Sequence, residues 1–233
     1  MPTQQDVSQH YTHGNLVAAI RGGVESLGKT INSMTVDDLA PVDEFHIGGR
    51  QASEDFLSQL DLTSEKQVLD VGCGLGGAAR FVASHYGCQV TGIDLTPEFI
   101  ETRKVLCGWV GLDSRISLRQ GSALEMPFAD RAFDRAYMLH VAMNIDDKAK
   151  LCSEVIRVLR PNSLFGIYDV MRIGDGELTY PVPWRARTAA TGGPPALGLH
   201  ILMGRNTPDK VQNMIANIST GRIAPVEMIA RKS

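Results

Sequence analysis

A glycine-rich turn directly after a short apolar run is the feature that most constrains how this chain can fold. Residues 66–71 read as a buried strand, and residues 72–77, four of them glycine, follow without a spacer. Glycines let the backbone turn tightly and approach a ligand closely. A helical pattern over residues 78–86 comes next. Strand, turn and helix in this order predict the first unit of a parallel α/β sheet, with a ligand bound at the turn.

Strands and helices alternate through most of the remaining chain. The patterns predict further strands at residues 88–94, 116–120, 133–139, 163–170 and 222–231, and helices at 97–110, 146–159 and 207–218. Residues 14–60, within an N-terminal region of residues 1–60, show interrupted helical patterns, including residues 16–27 and 51–60, with a loop at 40–50. We therefore expect an α/β fold with two parts. A Rossmann-like, mostly parallel sheet with helices on both faces occupies residues 61–233, and a helical lid precedes it.

Two acids frame the predicted ligand site and restrict the ligand. Asp70 ends the first strand, and Asp94 ends the second, 22 residues after Gly72. A carboxylate at position 94 can accept hydrogen bonds from both hydroxyls of a ribose. A diphosphate resting on the turn would be repelled by Asp70, whereas a cationic nucleoside without phosphate would be attracted. The pattern favours such a nucleoside, with a nicotinamide dinucleotide as the alternative.

The same residues resemble a known family. Residues 68–77 resemble the first motif of the class I S-adenosylmethionine-dependent methyltransferases, and residues 90–97 resemble the second. Residues 121–128 are similar to a later motif, and residues 133–134 and 157–161 match further landmarks. The resemblance covers about residues 65–170. It implies the Rossmann-like fold with an antiparallel C-terminal strand, S-adenosylmethionine as cofactor, and methyl transfer as activity.

The resemblance also assigns roles around the cofactor. It implies that Asp70 and the glycine backbone hold the methionine part, that Asp94 holds the ribose, and that residues 122–123 meet the adenine edge. Ser122 stands where an aspartate is commoner, which weakens the expected contact with the adenine amino group. The residues expected to bind the cofactor are Asp70, Gly72, Cys73, Gly74, Gly76, Asp94, Leu95, Ser122, Ala123 and Leu139.

The flanking segments indicate a subfamily. Residues 43–50, 139–145 and 180–184 resemble the bacterial sarcosine/dimethylglycine N-methyltransferase-like enzymes, which act on small molecules. Glycine derivatives are then candidate acceptors; O- or C-methylation of a quinol or natural product is the alternative. For a glycine-like substrate, Arg50 is the candidate partner of the carboxylate. The candidate aromatic cage around the amine is Tyr11, Phe45 and Trp184.

Two histidines are the candidate general bases. Methyl transfer displaces an activated methyl group in line, so positioning and exclusion of water supply most of the catalysis, and no metal is expected. An amine or hydroxyl acceptor can also need a base. His140 follows the fourth strand next to the expected methyl position, and His46 lies in a glycine-flanked loop. Histidine titrates near neutrality, which suits this task, although His140 can also be a packed structural residue.

Composition and the chain start limit the partners. The net charge is −3 and no stripe of Lys and Arg is visible, so we expect no nucleic acid. The start carries no basic and apolar signal pattern, no apolar run is long enough to span a bilayer, and the four cysteines form no CxxC pair. We expect a cytoplasmic protein whose partner is a small-molecule methyl acceptor. The sequence does not indicate an oligomeric state.

One segment departs from the family. The usual fold adds a helix, a sixth strand and an antiparallel seventh strand, but after Trp184 we find no convincing segment for the helix and the sixth strand. We hypothesise that a segment is missing after Trp184 or deleted in the gene. Because of this departure, a cofactor-binding protein without catalysis stays among the alternatives. A nicotinamide-dependent oxidoreductase is the other alternative.

Overall fold

A six-stranded sheet forms the centre of the molecule. The computed structural model describes residues 3–12, 14–44, 46–180, 182, 201 and 206–233, without the side chains of residues 6, 7 and 10. The strand order is β3-β2-β1-β4-β5-β6, with parallel pairing except between β5 and β6. The Rossmann-like, mostly parallel sheet with an antiparallel C-terminal strand is confirmed.

The strands and helices lie close to their predicted positions. The strands are β1 Gln67–Val71, β2 Gln89–Asp94, β3 Ile116–Gln120, β4 Phe133–Leu139, β5 Leu159–Arg172 and β6 Ile223–Arg231. The α-helices of the described residues are α1 Gln4–His10, α2 Leu16–Ser26, α3 Val36–Asp43, α4 Gly49–Leu57, α5 Gly77–His85, α6 Pro97–Trp109, α7 Lys148–Val158 and α8 Thr207–Ser219. None of these helices combines the length and the apolar character that a membrane crossing requires.

The strand order places the ligand site. The chain runs outward from β1 to β2 and β3 and then returns to the other side of β1, where β4 pairs in parallel with it. In such sheets, ligands bind beyond the carboxyl ends of the strands where this reversal occurs. The ends of β1, β2 and β4 therefore bring Asp70, Asp94 and Leu139 to one edge of the sheet.

The core lies on both faces of the sheet. On one face, α4 and α5 pack with Phe56, Leu57 and Val82 fully buried. On the other, α7 contributes Leu151 and Val155. Burying an aliphatic or aromatic side chain of this size contributes about 1.5–3 kcal/mol. These contacts explain why apolar positions at helical spacing predicted the helices well.

The N-terminal region packs as part of the core. Leu16, Ile20 and Val24 of α2 are buried against Phe99 and Leu106 of α6. A helix with three buried apolar side chains contributes to stability as well as covering the site beneath it. The N-terminal residues therefore form a packed layer, which we call the N-terminal cover (residues 3–12, 14–44 and 46–57 of the described chain).

The predicted loop at residues 40–50 was too long. Helix α3 continues through Pro41 to Asp43, and α4 already begins at Gly49. A proline inside a helix removes one hydrogen bond. Here a capping box starts the helix, because the Thr35 hydroxyl accepts from the Asp38 amide at 3.2 Å and the Asp38 carboxylate accepts from the Thr35 amide at 3.1 Å. Such caps contribute about 1 kcal/mol, which offsets part of the proline's cost.

The last strand forms one edge of the sheet. It pairs with β5 from Leu164 opposite Arg231 to Arg172 opposite Ile223. Within the described residues, no strand pairs with its other side, and Pro225 lies on it as on many edge strands. The proposal of a missing segment after Trp184 stays a prediction, because residue 184 lies outside the described residues. An intact mass near 25.3 kDa would exclude a missing segment.

Replacing Gly108 by alanine is expected to stabilise the protein by about 0.5–1 kcal/mol. Gly108 lies inside α6, and an added Cβ would meet nothing within 4 Å. Glycine in a helix costs about this much free energy relative to alanine. Urea unfolding of Gly108→Ala measures the change. Gly111→Ala is the matched control: its site is equally open, but its φ of +67° makes a loss the expected result.

Candidate active site

A cavity of about 380 Å³ opens at the carboxyl ends of β1, β2 and β4. Its floor is the glycine turn and the end of β2, and the N-terminal cover supplies part of its wall. Small-molecule and cofactor sites usually have volumes of this order. The described residues lining it include all the predicted cofactor residues except Gly76, together with both candidate histidines: Asp70, Gly72, Cys73, Gly74, Asp94, Leu95, Ser122, Ala123, Leu139, His46 and His140.

The glycine turn needs its glycines. Gly72 has a φ of +71°, and a Cβ there would lie 2.5 Å from Val141. Gly76 has a φ of +81° and would place a Cβ 2.6 Å from the Arg103 side chain. L-residues adopt this left-handed backbone at a cost. The Cys73 thiol donates to the Ile93 carbonyl at 3.1 Å, and burial raises its pKa well above the usual value, so the thiol stays protonated.

The Asp94 carboxylate connects the turn to the second strand. Its Oδ2 accepts from the Gly74 amide and its Oδ1 accepts from the Thr96 amide, both at 2.9 Å. Each carboxylate oxygen can accept a second hydrogen bond. The geometry therefore holds Asp94 in a fixed position and leaves it one acceptor site per oxygen, which is what the two hydroxyls of a ribose require.

Asp70 is a buried carboxyl group at the end of β1. It is 2% exposed, and its Oδ2 has no hydrogen-bond partner in the described part of the chain. Burial raises the pKa of Asp70 to about 7, a rise that the nearby Arg103 guanidinium and Tyr137 hydroxyl oppose and that the Asp94 carboxylate adds to. A cation reaching the cavity would find here an acceptor that the described residues leave unpaired.

Carboxylates dominate the charged lining at the turn end of the cavity. Asp43, Asp70 and Asp94 line it there, and the buried Arg80 and Arg103 are not among the lining residues. A phosphate group would meet negative charge at close range, whereas a sulfonium or ammonium group would be attracted. The residues present therefore fit a cationic nucleoside and do not fit a dinucleotide diphosphate.

The predicted adenine edge contains one contact that the sequence did not indicate. The Ser122 hydroxyl oxygen accepts from the Gln4 amide group at 2.9 Å and from the Leu124 backbone amide at 3.0 Å. With both acceptor sites engaged, Ser122 retains only its proton as a donor. A carboxylate would accept from an adenine amino group, so the serine leaves that contact to other groups. Gln4 links the N-terminal cover to this edge.

The two candidate bases lie side by side. The rings of His46 and His140 are 5.7 Å apart between centroids, and Tyr168 is 5.3 Å from His140. The Nε2 atom of His140 is buried without a hydrogen-bond partner in the described structure. Burial, reinforced by His46, lowers the pKa of His140 to about 3, so the imidazole is neutral at pH 7. Burial also lowers the pKa of His46.

A chain of polar contacts holds His46 in place within the N-terminal cover. Ser53 Oγ is 3.0 Å from His46 Nε2 and donates to Glu44 Oε2 at 3.0 Å. Arg50 pairs with Glu44 at 2.6 Å and stacks 4.7 Å from the centre of the Phe81 ring. Arg50 is not among the residues lining the cavity. The structure thus does not bring Arg50, our candidate carboxylate partner, to the acceptor, because the closer buried Glu44 captures it.

Only one member of the predicted aromatic cage can be located. Tyr11 lines the cavity, its ring centroid is 5.9 Å from that of Phe99, and its hydroxyl accepts from Asn144 at 3.5 Å. Phe45 and Trp184 lie outside the described residues. Sequence reasoning gave no role to several lining residues, although the segments 43–50 and 139–145 contain two of them: Asp43, Asn144, Asp146 and Lys210.

The chain is similar in sequence to proteins named as methyltransferases. A family model described as a methyltransferase domain matches residues 69–167. The O-methyltransferase resE of Aspergillus sclerotiorum is 28% identical over 170 residues, which cover 72% of this chain and 62% of that protein. Ajmaline N-methyltransferase of Rauvolfia serpentina is 40% identical over 93 residues, 40% of this chain and 32% of that protein. The chain thus spans less than two thirds of either relative.

A solved structure shares the fold. Phosphoethanolamine N-methyltransferase 2 of Haemonchus contortus, in complex with S-adenosyl-L-methionine, has a TM-score of 0.58 and 22% identity, covering 77% of this chain and 38% of that one. Residues 69–167, which include the glycine turn and both acidic strand ends, match a methyltransferase domain, and the matches together support a class I S-adenosylmethionine-dependent methyltransferase. S-adenosylmethionine is the cofactor of these methyltransferases, and the acidic, glycine-lined end of the cavity fits it.

Proposed function

We propose that this methyltransferase transfers a methyl group from S-adenosylmethionine to a nucleophilic atom of a small molecule bound in the same cavity. One observation carries the proposal: the carboxylates of Asp70 and Asp94 and the neutral imidazoles of His46 and His140 line one cavity. The carboxylates suit a cationic cofactor. The imidazoles suit an acceptor that releases a proton.

Each group of cavity residues has a separate role in the reaction. The bound cofactor supplies an activated methyl group. Asp94 fixes the ribose, the glycine turn holds the methionine part, and Asp70 faces the sulfonium of that part. His140 accepts the proton that the acceptor loses, since its Nε2 lone pair is buried and unpaired. The N-terminal cover excludes water from the cavity, which strengthens each electrostatic contact within it.

The acceptor we favour is an amine, with a glycine derivative as the specific candidate. Asp146 lines the cavity and can attract an ammonium group. Lys210 of α8 lines the same cavity and is 4% exposed, so it takes the role of carboxylate partner that we first gave to Arg50. The resemblance of residues 43–50 and 139–145 to sarcosine/dimethylglycine N-methyltransferase-like enzymes supports this choice.

A methyl-transfer assay on the purified protein tests the proposal. The protein is incubated with S-adenosylmethionine labelled in its methyl group and with separate panels of primary and secondary amines, quinols and phenols. We expect label in an amine product, and calorimetric binding of S-adenosylmethionine but not of NAD. Label only in quinols or phenols would favour the O-methyltransferase alternative. Tight binding of NAD without binding of S-adenosylmethionine would contradict the proposal.

A further inference from the structure

Asp43 is a buried carboxylate that the N-terminal cover presents to the cavity. It ends α3, it is 6% exposed, and it lines the cavity at its turn end. Its Oδ2 pairs with the Arg80 guanidinium. Its Oδ1 has no hydrogen-bond partner among the described residues. Buried polar atoms are nearly always paired, so an unpaired carboxylate oxygen in a cavity wall indicates a ligand.

The position of Asp43 depends on the glycine turn. A Cβ at Gly77 would lie 2.6 Å from Asp43 Oδ1 and 2.9 Å from the Asp43 carbonyl. Arg80, which holds the other carboxylate oxygen, also donates to the Leu75 carbonyl at 2.8 Å. The cover, the turn and the start of α5 thus meet at this one carboxylate.

The charges around Asp43 leave room for one more cation. Arg80 of α5 and Arg50 of α4 face it as cations, and burial is the largest influence on its pKa, which is raised. Asp70 and Asp94 line the same end of the cavity, and Glu44 is the next residue in the chain. Arg103 also lies beside Asp70, so four carboxylates meet three arginines here, and one cationic ligand group would restore the balance of formal charge.

We propose that Asp43 binds the α-ammonium group of the cofactor's methionine moiety, so that the N-terminal cover itself takes part in cofactor recognition. The inference rests on the proposed function, because it uses the cofactor assigned there. It adds a residue that neither the motifs nor the resemblance assigned. The cover then closes more firmly over a cofactor that carries an amino-acid group than over a nucleoside without one.

Two ligands separate the ammonium contact from the rest of the site. S-adenosylhomocysteine carries the α-ammonium group, and 5′-methylthioadenosine has the same nucleoside and thioether without the amino-acid part. By calorimetry, Asp43→Asn is expected to weaken S-adenosylhomocysteine binding about tenfold or more, and 5′-methylthioadenosine binding less than about twofold, since hydrogen bonds to charged groups contribute about 1.5–3 kcal/mol. Glu65→Gln is the control, because that acidic side chain is exposed and does not line the cavity.

Equal weakening of both ligands would overturn the inference and leave Asp43 a structural partner of Arg80. Unchanged binding of S-adenosylhomocysteine would overturn it too. Because removing one partner of a buried ion pair can prevent folding, Asp43→Asn/Arg80→Met is the second variant, in which no charge is left unpaired. The same difference between the ligands is expected. Failure of the unmodified protein to bind either ligand would instead count against the proposed function.

Discussion

The His140→Asn variant is expected to bind S-adenosylmethionine as tightly as the unmodified protein while its turnover falls about 100-fold or more. His140 Nε2 is buried and unpaired in the described structure, so its lone pair is available to the acceptor; the pKa of about 3 makes the ring a weak base in the free protein, and the role rests on this geometry. General base catalysis of this kind contributes about 10²–10⁴-fold. Asparagine is the substitution of choice because residue 140 has a φ of +55°, a backbone that asparagine tolerates.

Single-turnover rates and calorimetry on the same preparation measure the two quantities separately. His85→Asn is the matched control, since His85 lies on α5, is exposed and does not line the cavity. It is expected to leave both quantities unchanged. If His140→Asn lost cofactor affinity and turnover in equal proportion, His140 would be a packing residue. Unchanged turnover would show that the acceptor needs no base at this position.

The strands and the turn were predictable because their causes are local. The β3 and β4 bounds agree with the structure at both ends. β4 is a largely buried parallel strand, whereas β3 is an edge strand in which only Ile116 is buried. The loop predicted at residues 40–50 overlaps helix α3, which continues through Pro41 to Asp43. The Thr35 cap and the packing of Leu39 and Val42 outweigh the local preference.

The sequence predicted which residues of the turn and of the strand ends line the cavity, and their roles toward the cofactor stay predictions. The partners of Arg50 and Asp43 depend instead on how α3, α4 and α5 pack, which no spacing reveals. Arg50 pairs with Glu44, and Asp43 pairs with Arg80. Charged groups that could contact a ligand therefore contact each other instead. The pKa of about 7 for Asp70 likewise depends on burial, which raises it, and on Arg103, which lowers it and lies 33 positions later in the chain.

Affinity for S-adenosylmethionine is expected to fall about tenfold between pH 8 and pH 6. Burial raises the pKa of Asp70 to about 7 in the free protein, and a bound sulfonium favours the ionised form and lowers it. Binding therefore releases a proton. Above the free-state pKa the carboxylate is already ionised and affinity is full; below it, each pH unit costs up to about tenfold until the bound-state pKa is reached.

The Asp70→Asn variant is expected to bind S-adenosylmethionine about 10- to 100-fold more weakly, because it loses a charged partner and leaves Arg103 buried near the sulfonium. Its pH dependence should flatten as well. Asp43 and Glu44 also have raised pKa values, so the informative quantity is the affinity for S-adenosylmethionine relative to S-adenosylhomocysteine, which lacks the sulfonium charge. Calorimetry of both ligands at pH 6, 7 and 8 measures this ratio. A ratio that keeps its pH dependence in Asp70→Asn would assign the titration to another group and remove Asp70 from the sulfonium site.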